Sequence, residues 1–129
     1  MRVLLSACAC APFGGSELEI GWRWALEVAR AGHEVWVLTR RGHQPAIERA
    51  LQQLEPLPLL QFAYYDPPRW LLRLLGGSLG IRLRYWLWQR GAHASARELC
   101  RRTQFDRVHH VTWQAMRYSS RMGDLAPPF

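Results

Sequence analysis

"MRVLLSACACAPFGGSELEIGWRWALEVARAGHEVWVLT", Met1 to Thr39, is the stretch that decides the fold. Arg2 to Ala7 is a short, nearly continuous apolar run, the signature of a strand covered on both faces in a parallel sheet. Ala11 to Gly15 interrupts it. From Ser16 the spacing turns helical: Leu18, Gly21, Ala25, Val28 and Ala29 fall on one side, and Gly32 stands where a helix would stop. Glu34 to Thr39 returns to strand. The whole is a strand, a glycine-containing loop, a helix and a second strand.

The remainder continues the alternation. Pro45 to Leu54 predicts a helix with Pro in its first turn and Ile47, Ala50, Leu51 and Leu54 on one side. Leu57 to Tyr65 predicts a third strand, and Asp66-Pro67-Pro68 breaks the chain. A short apolar-basic helix over Arg69 to Leu75 ends at Gly76-Gly77. A longer one over Leu79 to Arg102 carries the stripe Ile81, Tyr85, Trp88, Ala92, Ala96, Leu99. Phe105 to Val111 is a fourth strand, followed by a short helix around Gln114 to Arg121. Strands alternating with helices predict an α/β fold, a Rossmann-like parallel sheet with helices on both faces and right-handed crossovers, in a single domain over 1–129. Ligands of such sheets bind beyond the carboxyl ends of the strands, where strand order reverses. The loop Cys8 to Gly15 and the residues after Val108 are expected there.

Gly14 and Gly15 permit a tight turn and close approach of backbone to a ligand, while the helix that follows offers free N–H groups and the positive end of its dipole. Ser16 is expected to cap that helix, with Glu19 completing a capping box. Such a corner suits an anion or a polyol oxygen; the same glycines also suit a bare strand-to-helix turn. A dinucleotide fingerprint is excluded: the glycines are Gly14, Gly15 and Gly21, and the second strand ends in Thr39-Arg40-Arg41, with no acidic residue. A Walker loop is excluded as well, because the chain has no Lys.

All 17 basic residues are Arg, and the net charge of +7 favours anionic partners: phosphorylated ligands or an anionic membrane face. No nucleic-acid-binding signature accompanies it, so nucleic acid is not expected as a partner. Cys8, Cys10 and Cys100 lack the spacing of a structural zinc site; no metal is expected, and small buried thiols in a reducing cytoplasm are. Leu5-Ser6-Ala7-Cys8 has the outline of a lipoprotein cleavage box. Only Val3 to Leu5 precede it, against the apolar region of about 7–15 residues that a signal peptide needs. A cytoplasmic location is therefore expected.

The strand MRVLLSACACAP, the GGSE corner, the passage GWRWALEVARAGHEVWVLT and the later WQRGAHASARELCRRTQFDRVHHVTWQAMR resemble the amino-terminal half of a family 4 glycosyltransferase of the GT-B type, a retaining enzyme. The resemblance covers nearly the whole chain. It implies one of two Rossmann-like domains facing each other across a cleft: this one for the acceptor, an absent carboxyl-terminal one for the nucleotide-sugar donor, with no metal or other cofactor. It further implies that Gly14, Gly15 and Ser16 line the cleft, with Glu17 beside them. A histidine of the family's His-x-His pattern reaches the donor sugar, and here His109 and His110 stand in His-His-Val-Thr instead. Adjacent strand residues point to opposite faces, so at most one of the two faces the cleft and at least one packs as an ordinary strand histidine; His110 is favoured for the cleft. The domain alone is expected to be inactive. Its acceptor would be a saccharide or a lipid-linked saccharide, and the alternative is a non-catalytic module of the same fold that binds a saccharide or phosphate.

Arg69, Trp70, Leu71, Arg73, Leu74 and Leu75 form a short amphipathic piece, and Arg82, Trp86, Arg90, His93 and Arg97 a basic-aromatic stripe on the long helix. Trp and Arg together suit a bilayer interface, which would place the protein peripherally on the inner face of the cell membrane. The ordinary reading, in which Trp and Leu fill core and Arg is solvated, stands beside it.

Overall fold

The structure is a computed structural model that describes residues 1–74, 80–111 and 120–125. Four strands, β1 (Arg2–Ser6), β2 (Glu34–Thr39), β3 (Leu60–Tyr64) and β4 (Arg107–His110), form one sheet in the order β3-β2-β1-β4. Every pairing is parallel. Between them run α1 (Ser16–Arg30), α2 (Gln44–Gln53), α3 (Arg69–Leu74) and α4 (Ile81–Arg102). This is the Rossmann-like α/β architecture that the alternation predicts.

Central strand β1 explains why apolar continuity matters. Val3 and Leu5 face a core built with Val35 and Val37 of β2, Trp22, Ala25, Leu26 and Ala29 of α1, and Ile47 and Ala50 of α2. Leu4 faces the other way, onto Trp88, Ala92 and Ala96 of α4, with Leu38 and Val108 beside it. Side chains alternate across a strand, so a strand with helices on both faces must be apolar at every position. At the amino edge of the sheet, Arg2 Nε donates to Glu34 Oε2 at 2.8 Å and the Arg2 backbone N–H donates to Asp106 Oδ2 at 2.6 Å, tying β1 to its two neighbours.

Helix α1 ends as its sequence directs. Gly32 takes φ 89°, its N–H donates to Ala29 O at 3.0 Å and the His33 N–H to Val28 O at 3.4 Å, the paired bonds of a Schellman stop. Its start differs from expectation. Gly15, not Ser16, is the N-cap, Ser16 is the first helical residue, and among the described residues no side chain caps the helix. Glu19 is therefore free of a capping box and pairs with Arg23 one turn on, at 3.2 Å.

Ile81 departs from its expected place in the α4 stripe: it is 63% exposed, while Tyr85, Trp88, Ala92 and Ala96 are buried. Packing to the sheet thus begins only at Tyr85, and the first turn of α4 lies outside the core. The helix expected around Gln114 to Arg121 falls mainly outside the described residues, as do Leu75 to Leu79. Arg121–Asp124 forms a turn of 3₁₀ helix, capped by Ser120, whose Oγ accepts the Met122 N–H at 3.1 Å. It brings Met122 and Leu125 into the α4-side core.

Candidate functional site

All four strands run parallel, so the loops that follow them gather at one edge. The chain steps outward from β1 to β2 to β3 and then returns to the far side of β1 for β4, so strand order reverses at β1. A cavity of about 770 Å³ opens at this edge, within the usual range of small-molecule sites, about 300–1,000 Å³. Cys8 and Glu17 come to it from the loop after β1 and the first turn of α1. Arg40, Arg41 and His43 come from the segment after β2, and Asp66 and Arg69 from the segment after β3. Leu72 of α3 and Arg84, Tyr85 and Trp88 of α4 close the far wall. A shallower recess of about 450 Å³ shares Arg69, Leu72 and Arg84 and adds Arg73.

The glycine corner has a different job at each position. Gly15 takes φ 95°, and no atom of the described residues crowds it, so backbone conformation favours glycine there. Gly21, inside α1, lies against the Ala9 carbonyl, and a Cβ would collide with that backbone oxygen. The loop is held to the helix by the Ala11 N–H donating to Leu18 O at 3.1 Å. Phe13 carries positive φ, 61°, at the loop tip with 88% of its surface exposed. Of the four residues expected at the cleft, Glu17 lines the cavity. Gly14, Gly15 and Ser16 are exposed and lie outside its lining.

The two histidines leave β4 on opposite faces. His110 is buried on the α4 side; its Nε2 shares a 2.8 Å hydrogen bond with the Tyr85 hydroxyl and its Nδ1 a 3.1 Å hydrogen bond with Ser6 Oγ. Burial, and secondarily the charge of His109, push its pKa down to about 4, so the ring is neutral at pH 7. It reaches the cavity only through Tyr85. His109 is exposed on the α1 side, stacked on Trp24 with ring centroids 5.4 Å apart.

Charge in the cavity is unbalanced, with four arginines, Arg40, Arg41, Arg69 and Arg84, against the carboxylates of Glu17 and Asp66. Arg40 Nε and Asp66 Oδ1 are 3.7 Å apart, an ion pair too long to be a hydrogen bond. Asp66 Oδ1 and His43 Nε2 are buried and lack a hydrogen-bond partner among the described residues. Burial lowers the His43 pKa and the Arg40 charge adds to the effect, against a hydrogen bond to the Cys8 backbone and the charge of Asp66. The thiols nearby are inert as nucleophiles: burial pushes Cys8 and Cys10 up to about 12.

Beyond the cavity, the amphipathic piece does not fill core. Trp70 is 63% and Leu74 76% exposed, while Leu71 and Leu72 are half-buried. On α4, Arg82, Trp86 and Arg90 all lie on the exposed face, with the Arg90 guanidinium 4.9 Å from the centre of the Trp86 ring. Of the six residues expected at a membrane surface, only Arg69 lines the cavity and, with Arg73, the shallower recess.

The sequence reading passed over Arg40, Arg41, His43, Asp66 and Arg84. The signal for most of them was position: Arg40-Arg41 and Asp66 directly follow the predicted ends of parallel strands. No family model, curated protein or solved structure matches this chain.

Proposed function

We propose that this chain is the amino-terminal, acceptor-side half of a retaining glycosyltransferase of the GT-B type. Its donor would be a nucleotide-sugar carried by a second α/β half, and its acceptor a saccharide or lipid-linked saccharide. The observation that carries the reading is the convergence of the glycine loop after β1 and the histidine pair ending β4 on one edge of a parallel sheet, at the strand where order reverses. Glu17 and the cavity beside it would receive the acceptor. His110, with both ring nitrogens engaged, would act as a positioning residue that fixes Tyr85 in the cavity wall. His109, with its ring exposed, is the histidine open to a ligand.

Among the described residues no helix is long and apolar enough to cross a membrane. Trp70 and Leu74, flanked by Arg69 and Arg73, and the Arg82, Trp86, Arg90 face would dock the domain peripherally on the inner face of the cell membrane, bringing the cavity toward lipid-linked acceptors.

The test is transfer. The gene product, with whatever coding sequence follows Phe129, is incubated with radiolabelled nucleotide-sugars and with saccharide or lipid-linked acceptors. Transfer with retention of anomeric configuration, weakened by His109→Ala without loss of fold, is the expected result. Saccharide binding with no transfer to any acceptor would instead make the chain a non-catalytic binding module.

A further inference from the structure

We propose that the cavity is a binding site for a phosphorylated polyol, with the phosphate held by Arg41, Arg69 and Arg84 and the hydroxyls by Asp66 and His43. The three arginines come from three separate segments, after β2, at the start of α3 and on α4, yet line one cavity. All three are exposed to solvent at the cavity rim, and the planar guanidinium fork matches the oxygens of a phosphate dianion. Arg40 is set apart from them by its ion pair with Asp66. The second observation is independent of charge. Asp66 Oδ1 and His43 Nε2 are buried polar atoms without hydrogen-bond partners among the described residues, and buried polar atoms are ordinarily satisfied. A hydroxyl group, which both donates and accepts, suits the carboxylate oxygen and the imidazole nitrogen alike, and a polyol carries several. Leu72, Ile81 and Trp88 supply an apolar wall for the carbon face of the ring. The acceptor-side reading gives this ligand its role; the ligand's chemistry is argued from the cavity alone.

The experiment is calorimetric titration of this chain with glucose 6-phosphate, with glucose and with inorganic phosphate, beside co-sedimentation with phosphatidylcholine vesicles with and without phosphatidylinositol. Glucose 6-phosphate should bind at least about tenfold more tightly than either fragment. Arg41→Gln with Arg84→Gln should weaken it by at least about tenfold, whereas Arg49→Gln, on the exposed face of α2, should change nothing. Asp66→Asn should weaken glucose 6-phosphate while leaving inorganic phosphate unchanged or tighter, a split that bulk charge cannot produce. Without any mutation, glucose 6-phosphate should protect Arg41, Arg69 and Arg84, but not Arg49, from phenylglyoxal. Binding of the soluble phosphate identifies a free ligand. Binding only to inositol-lipid vesicles, with the same arginine dependence, identifies a lipid headgroup. Neither, or equal sensitivity to Arg49→Gln, overturns the proposal. Phosphate binding in a gene product that transfers no sugar would remove the glycosyltransferase reading and leave this one; transfer to an unphosphorylated acceptor without phosphate binding would do the reverse.

Discussion

His110 and Tyr85 share a buried 2.8 Å hydrogen bond that joins the end of β4 to the wall of the cavity, and Ser6 of β1 occupies the other ring nitrogen. Tyr85→Phe leaves His110 Nε2 without this partner in a buried place, at a cost of about 1–3 kcal/mol. His109→Ala removes a ring from an exposed stack and should cost less than about 1 kcal/mol. Urea midpoints of the two variants check the contrast; equal losses would refute it.

The same histidine gives stability a pH dependence. Its folded value, about 4, lies below the value of about 6.5 it has in the unfolded chain, so between these the unfolded state binds more protons. The His110 contribution is complete above about pH 6.5 and is lost as pH falls toward 4, by up to about 3 kcal/mol. His43 and His93, also lowered by burial, act in the same direction. His110→Gln should flatten the decline in unfolding free energy between pH 7 and 4.5, measured by urea titration, although its stability at pH 7 is lower.

Glycine replacements should separate strain from collision. Gly15→Ala meets no atom of the described residues but must hold φ 95° with ψ 169°, a region essentially confined to glycine, costing about 1–3 kcal/mol. Gly21→Ala puts a Cβ against the Ala9 carbonyl, and should cost more than Gly15→Ala although alanine is the better helix former. Thermal melts of both variants decide the order.

Exposed Trp70 and Leu74 make the membrane reading measurable. The domain should sediment with anionic vesicles at low salt and lose binding as the Debye length falls from about 10 Å at 0.1 M to about 3 Å at 1 M. Trp70→Ser with Leu74→Ser should reduce binding at every salt concentration, and Arg82→Gln with Arg90→Gln should reduce it mainly at low salt. Exposed residues contribute little to stability, so all four substitutions should leave the fold intact.

The elements were legible where one residue's neighbours lie close in sequence. Gly21, Ala25 and Ala29 announce the buried face of α1 through helical spacing alone, and Val3 to Leu5 announce a strand covered on both sides. Adjacent His109 and His110 gave opposite faces from strand alternation, but which of them is buried depends on Trp88 and Tyr85 arriving from α4. The cavity was less legible still. Arg41, Asp66 and Arg84 lie far apart in the sequence, and the parallel sheet, by placing the strands' carboxyl ends on one edge under α4, brings them to one cavity. Ser16 misled because the cap rule reads side-chain chemistry, whereas the turn here is set by the backbone of Gly15.

The strand order also has a consequence in time. Of the four described strands β1 is made before the others, and its partner β2 is complete by Thr39, but its other partner is β4. The contact that closes this side, Ser6 with His110, spans 104 residues. During synthesis this strand therefore waits with one edge unpaired until all of α4 and then β4 have been made. Such non-local closure is slow, and an open apolar edge invites association with other chains. The sequence postpones its most important handshake, and the burden of that delay falls on the nascent chain.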